Sequence, residues 1–182
     1  MIEYSNVLPG SGMLKCIEEL YESSFPAVER RKFANVETLL SRKDVPFEIL
    51  SASDESGFVG FLSYWDFEEF KYIEHFAVKP ESRGTGIGSA MLSRFLEDCE
   101  NVPIVLEVEL PEMSEMARRR VDFYMRHGFI LWRLVKYIQP PYDGEGDELE
   151  MKLMTLRVND SVKTARMGDI IKREVYKKIE AF

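Results

Sequence analysis

The chain has 182 residues, 45% of them apolar and 31% charged, and carries a formal net charge of −8. That length supports one substantial core, and the composition is ordinary for a soluble globular protein. The acidic balance argues against a duplex nucleic-acid binder, which needs a basic face, and no apolar run approaches the roughly 20 residues that cross a bilayer.

The opening Met1-Ile2-Glu3-Tyr4 lacks the basic-then-apolar pattern of a secretory signal, so a cytoplasmic setting is expected. Met13 to Ser23 reads as a helix, with Leu14, Ile17 and Leu20 on one stripe and a stop at Phe25-Pro26. Glu29 to Ser41 reads as a second helix. Phe47 to Ala52 and Phe58 to Trp65 are strand-like, joined at Ser53-Asp54-Glu55-Ser56-Gly57, which is strong turn chemistry. Asp66 to Glu69 forms another turn, and Phe70 to Lys79 a third strand. A glycine-rich run, Arg83 to Ser89, then opens a helix that lasts to about Glu100 and stops before Pro103.

Bounded by Pro103 and Pro111, Ile104 to Leu110 reads as a short strand. Ser114 starts the next helix, and Gly128 ends it at a C-cap position. Ile130 to Ile138 and Leu149 to Val158 predict two further strands. The loop between them, Gln139 to Asp147, is too long for a tight hairpin and suits a cover over a ligand. Ser161 to Ile179 carries Val162, Ile170, Ile171, Val175 and Ile179 on roughly one stripe. It predicts an amphipathic helix, packed on its own domain or on the partner in a homodimer.

The expected organisation is thus one domain over residues 1–160 with a C-terminal helix over 161–182. Strands and helices mixed in this order predict an α/β or α+β fold, a sheet with helices on both faces. Cys16 and Cys99 fall in helical patterns and read as buried thiols, not a bridge. Two histidines, His75 and His127, with no clustered Cys/His spacing, make a metal site unexpected. Arg118-Arg119-Arg120 reads as a solvated helix face, or else supplies one arginine to a ligand phosphate.

The run Arg83-Gly84-Thr85-Gly86-Ile87-Gly88-Ser89 is the most informative stretch. Three glycines at a strand-to-helix turn leave N–H groups uncovered, and the helix dipole favours negative charge there, so a phosphorylated ligand is expected. The alternative is a turn that only connects strand to helix. A Walker loop needs a lysine after its last glycine, and Gly88 is followed by Ser89. The dinucleotide pattern also fails, because its final glycine or alanine falls on Ser89 or Met91 in the two possible frames.

Arg83-x-x-Gly86-x-Gly88, preceded by Glu74-His75-Phe76-Ala77-Val78 and followed by Phe123-Tyr124-Met125-Arg126-His127-Gly128-Phe129, resembles the GCN5-related N-acetyltransferase (GNAT) superfamily. The resemblance covers roughly Met13 to Arg157. It implies a mixed, mostly antiparallel central sheet with two parallel strands splayed apart for the pantetheine arm of acetyl-coenzyme A. The loop is then the pyrophosphate site, with Arg83 and the N–H groups of Gly84, Thr85, Gly86, Ile87, Gly88 and Ser89 as its contacts. Phe76, Ala77 and Val78 pair with pantetheine and supply an oxyanion N–H. Family members often carry an asparagine after the second splayed strand; Pro111-Glu112-Met113 stands there instead.

Acetyl transfer to an alkylamine needs a neutral nitrogen, and a pKa of about 10.4 leaves about 0.1% or less neutral at pH 7. A base or a water chain must therefore remove a proton. Glu74 is the first candidate base; the alternative is a structural glutamate held in an ion pair. Strand alternation puts it on one face with Tyr72, Phe76 and Val78, where desolvation should raise its pKa, and puts His75 on the other. Glu107 is the second candidate. Tyr124 matches the family tyrosine that protonates the departing thiolate, and a phenol of pKa about 10 is a donor at neutral pH. The acceptor side is expected to be lined by Phe25, Glu29, Tyr72 and Tyr142, although solvated loops explain the segments around Phe25 and Tyr142 equally well. The overall expectation is an acetyl-coenzyme A-dependent N-acetyltransferase acting, in a ternary complex and without metal, on a small-molecule or peptide amine. The alternative is a non-catalytic module that binds coenzyme A as a sensor.

Overall fold

The computed structural model describes residues 1–144 and 146–176, leaving out the side chain of Asp143. It shows a mixed α/β protein, with strands paired mostly antiparallel, whose chain packs into two compact units. The first comprises residues 1–67 and 73–100, and the second residues 68–72 and 101–182.

In the first unit, β1 (Glu3–Asn6), β2 (Phe47–Asp54) and β3 (Gly57–Asp66) form antiparallel pairs, and β3 is followed by β4 (Lys71–Val78). Only residues 73–78 of β4 belong to this unit. The β2–β3 hairpin closes with Asp54 opposite Gly57. There Asp54 Oδ1 accepts from the Ser56 N–H at 2.8 Å, and Gly57 takes the left-handed φ of 103° that the tight turn requires.

Alternation along β3 sends neighbouring side chains to opposite faces. Phe61 packs toward Tyr21 of α1 (Met13–Ser24), and Tyr64 toward Phe95 of α3 (Ile87–Asp98), with ring centroids 6.3 and 4.9 Å apart. Helices therefore cover both faces of β3. A Cβ at Gly60 would sit 2.7 Å from the Ala77 carbonyl oxygen and 3.2 Å from Met91 Sδ. Only glycine lets β3 lie this close to its neighbours.

The expected helix Glu29–Ser41 is broken. A 3-10 turn (Ala27–Glu29) and an extended Arg30 precede α2 (Phe33–Ser41). The cause is tertiary. The Tyr21 hydroxyl accepts from the Arg31 N–H at 3.0 Å and donates to the Arg31 carbonyl at 3.3 Å, which takes the Arg31 peptide groups out of any helical ladder. The edge strand β1, with little buried surface, gave no sequence signal.

In the second unit, β5 (Ile104–Glu109), β6 (Ile130–Leu131) and β7 (Tyr137–Gln139) all pair antiparallel with β8 (Leu149–Leu156). The single strand expected over Ile130–Ile138 is interrupted. Leu131 faces Met154 and Tyr137 faces Met151, so the chain between has more residues than β8 can pair, and it loops out with Leu134 98% exposed. Helix α4 (Glu115–Arg126) is capped by Ser114, whose hydroxyl accepts from the Ala117 N–H at 2.9 Å.

Helix α5 (Ser161–Glu174) packs on β7 and β8 of its own unit, where a Cβ at Gly168 would meet Leu153 and the Tyr137 ring at 3.0 Å. Its buried face is Thr164, Met167, Gly168 and Ile171, continued by Val175 and Tyr176. Val162, expected on that stripe, is exposed, and Ile179 lies outside the described residues.

Candidate functional site

The glycine run forms an open cradle at the start of α3. Gly84 and Gly86 take left-handed φ values of 77° and 90°, and a Cβ at either would meet nothing within 4 Å. The first intrahelical bond runs from the Ala90 N–H to the Gly86 carbonyl at 3.0 Å. The N–H groups from Gly86 to Ser89 therefore have no partner within the helix, and glycine at the N-cap supplies no capping side chain. A phosphate suits such a place, since both the donors and the dipole favour an anion.

Arg83 is exposed and turns back, its Nε donating to the Val78 carbonyl at 3.0 Å, while the Thr85 hydroxyl donates to the Ser82 carbonyl at 2.7 Å. Gly88 lies over Val78 and Phe76, so the loop and the end of β4 come together, and Ile87 joins Phe76 and Val78 against the buried Ala52, Val59 and Met91. Ala77 is itself buried.

Glu74 is held in an ion pair, the structural alternative to the base reading. Its Oε1 accepts from Arg31 Nη2 at 2.5 Å and its Oε2 from Trp65 Nε1 at 2.8 Å. Both side chains of the ion pair are only 1% exposed. Burial pushes the carboxyl up, but Arg31, His75 and the two hydrogen bonds outweigh it and hold the group below its ordinary value. The rise expected from desolvation alone is corrected accordingly.

The expected face is corrected too. Phe76 and Val78 meet α3, whereas Glu74 reaches Arg31, in the segment after α1. His75 also touches that segment: its ring packs on Tyr21 and Phe25 at 4.8 and 4.6 Å, and its Nε2–H donates to the Glu29 carbonyl at 3.1 Å. Two consecutive residues sharing one side break the strict alternation of a strand. Burial keeps His75 below its usual value despite the opposing pull of Glu74.

In the second unit, Tyr124 is a buried residue of α4 with its ring against Phe123 and Phe129. Burial pushes its phenol up to about 12, with Arg120 opposing. It is a proton donor at neutral pH. The following Gly128, at φ 88°, ends the helix and lets Phe129 return under it.

Glu107 of β5 sits in a ring of phenols. Its Oε2 accepts from Tyr72 at 3.0 Å and from Tyr176 at 2.5 Å, and its Oε1 accepts from Tyr137. Tyr142 joins through its ring, 4.8 Å from that of Tyr176. Burial and then the Glu107 charge push the Tyr137 and Tyr176 phenols far above their ordinary range, so both remain donors. The structure thus brings Tyr72, Glu107 and Tyr142 into one cluster, and Phe25 and Glu29 together around His75. Trp65, Tyr137 and Tyr176 escaped the sequence reading. Tyr176 lay off the expected stripe of α5, so it carried no signal of its own.

An anion cradle at a glycine turn between a strand and a helix, in a mixed α/β chain with Phe-Tyr-x-x-x-Gly-Phe at its later helix, defines an acyl-coenzyme A acyltransferase architecture. Residues 46–131 match the profile of the "Acetyltransferase (GNAT) domain". A provisionally assigned GNAT-family acetyltransferase from Bacteroides thetaiotaomicron is 38% identical, superposes with a TM-score of 0.86, and is matched over 96% of this chain and 98% of its own. The chain belongs to the GNAT family of acyltransferases.

The provisionally assigned acetyltransferase YjbC of Bacillus subtilis is 29% identical over 107 residues, 58% of this chain and 52% of YjbC. The chain therefore spans about half the length of that curated relative. Arabidopsis thaliana NAA60, solved in complex with acetyl-CoA, shares the fold at 15% identity and a TM-score of 0.65, matched over 88% of this chain and 100% of its own.

Proposed function

We propose that this protein moves an acetyl group from acetyl-coenzyme A to a primary amine of a small molecule or peptide, by direct attack in a ternary complex. The observation that carries this reading is the open cradle, two left-handed glycines ahead of unpaired first-turn N–H groups on α3. In it, the amides from Gly84 to Ser89 hold the pyrophosphate, and Arg83 swings from the Val78 carbonyl to join them. The backbone of Phe76, Ala77 and Val78 pairs with the pantetheine arm and donates to the developing oxyanion.

The neutral amine attacks the thioester carbon, the C–S bond breaks, and the thiolate leaves with a proton from Tyr124 while the new amide nitrogen loses one. Glu74 is tied to Arg31, and Glu107 is tied to three phenols. Both geometries favour a fixed charge over a proton acceptor, so a water chain carries the amine proton away. Under this reading, Glu74→Gln lowers turnover by a similar factor across the pH range; a loss confined to neutral pH would restore Glu74 as the base.

The test is thiol release from acetyl-coenzyme A with a panel of amines. Release with at least one amine, abolished by Gly86→Glu, supports the proposal. Tight binding of the thioester with no release on any acceptor would overturn it in favour of a coenzyme A-binding module.

A further inference from the structure

Tyr21, the last buried residue of α1, holds both ends of the loop that follows the helix. At the near end its carbonyl accepts from the Phe25 N–H at 3.1 Å. At the far end its hydroxyl accepts from the Arg31 N–H at 3.0 Å and donates to the Arg31 carbonyl at 3.3 Å. The phenol thus pairs both backbone groups of one residue, as a neighbouring strand would. Tyr21 and Arg31 are each 2% exposed, so water does not compete for these bonds. Burial pushes the phenol above its ordinary range, and it remains a donor.

The ring of Tyr21 completes the enclosure. Phe25 and His75 lie against it with centroids 5.8 and 4.8 Å away, and the Arg30 guanidinium stands over it at 5.8 Å. Arg30 also closes the loop on itself, donating from Nε to the Phe25 carbonyl at 3.0 Å and pairing with Glu22 at 3.2 Å. β4 supplies the opposite wall, where His75 donates to the Glu29 carbonyl and Glu74 binds Arg31. Both arginines are therefore committed to partners in this chain. The residues that the loop leaves exposed, Pro26, Ala27 and Val28, carry no charge.

The loop stands beside the proposed reacting centre. His75 immediately precedes residues 76–78, whose backbone takes the thioester carbonyl in the proposed reaction. Phe76 and Val78 turn to α3, whereas His75 turns to the loop. An amine approaching that carbonyl from the side away from α3 meets the loop, and its line of attack follows the loop's position. We propose that Tyr21 is a positioning residue for the amine: it pins residues 25–31 against β4, and they in turn set where the amine stands. This rests on the acetyltransferase reading above, and it adds the residue that governs the acceptor side. Tyr21 acts through the loop and touches neither substrate.

The experiment compares the full chain with Tyr21→Phe, which keeps the ring and removes the hydroxyl. Amide hydrogen exchange reads the loop, calorimetry the acetyl-coenzyme A dissociation constant, and thiol release with the amine panel the turnover. Exchange over residues 25–31 is expected to quicken about tenfold or more in Tyr21→Phe, while that of α3 holds. The amine kcat/KM is expected to fall about tenfold or more, with the thioester dissociation constant within about twofold of wild type. Arg30→Met cuts the loop's ties to Glu22 and the Phe25 carbonyl at a half-buried site, so it keeps the test open if Tyr21→Phe fails to fold. It should act in the same direction to a smaller degree. Leu62→Val alters the core on the face of β3 away from Tyr21, and should lower the melting temperature without moving loop exchange or the amine kcat/KM. Unchanged loop exchange or unchanged amine kcat/KM in the folded variants, or the same losses in Leu62→Val, would overturn the inference and leave the acetyltransferase reading standing. No thiol release from the wild type with any amine would overturn that reading, and this role with it.

Discussion

Arg31 and Glu74 are almost wholly removed from water, and each is tolerable only because of the other. Arg31→Met should cost about 3–5 kcal/mol, because it strands a buried carboxylate, and denaturant melts would measure it. Glu74→Gln should cost less, since Trp65 Nε1 keeps an acceptor. Acid titration reads the same network. Glu74 is held below 4.5 in the folded chain, so its contribution is complete above about pH 4.5 and disappears as pH falls through the lower folded value. His75 is also depressed, so the unfolded chain takes its proton first, and stability begins to fall below about pH 6.5. Arg31, Arg30, Tyr21 and Trp65 are the other polar groups facing this pair. Stability measured from pH 7.5 down to 3.5 should decline in two stages, as about those pKa values imply, with the lower stage missing in Glu74→Gln. At the thiol end, Tyr124→Phe should lower turnover about 100-fold or more, with little change in acetyl-coenzyme A affinity. Unchanged turnover would remove Tyr124 from the acid role.

Among the elements, β3 and β4 meet at Gly60 with no space for a methyl group. Gly60→Ala pits a Cβ against the Ala77 carbonyl, which is backbone and cannot swing aside. It should cost about 1–3 kcal/mol and shift β4 at Phe76–Val78, weakening acetyl-coenzyme A binding as well as stability. Calorimetry of the two effects on one variant checks their coupling. Most elements were legible because periodicity and punctuation agreed: glycine and aspartate closed the β2–β3 hairpin, prolines framed β5, and serine and glycine bounded α4. Two of the misses are tertiary. Arg31 leaves the helical path for Tyr21, and residues between β6 and β7 loop out because β8 offers too few partners. Both depend on pairings between elements, which periodicity along the chain does not encode.

For the whole molecule, a ligand that binds only the folded chain must raise its stability. Acetyl-coenzyme A at 100 times its dissociation constant should add about 2.7 kcal/mol, whereas ATP and NAD should add little; the reverse order in a thermal-shift series would discard the proposed cofactor. The glycine cradle was readable at this scale because its backbone geometry is written in residue type, at Gly84 and Gly86. The two carboxylates were readable as candidates but not in their roles. Glu74 and Glu107 differ in what surrounds them, an arginine and an indole against three phenols, and those partners come from positions up to 69 residues away.

The chain has two tryptophans, and the units hold one each. Trp65 donates its indole N–H to Glu74 and is stacked on Phe67, with 2% of its surface accessible; Trp132 donates to the Thr155 hydroxyl at 2.7 Å and is less deeply enclosed. Nature has thus installed a separate intrinsic fluorophore in each half. Emission from Trp65→Phe and Trp132→Phe proteins resolves whether melting proceeds as a single cooperative event or as two, without any dye or label.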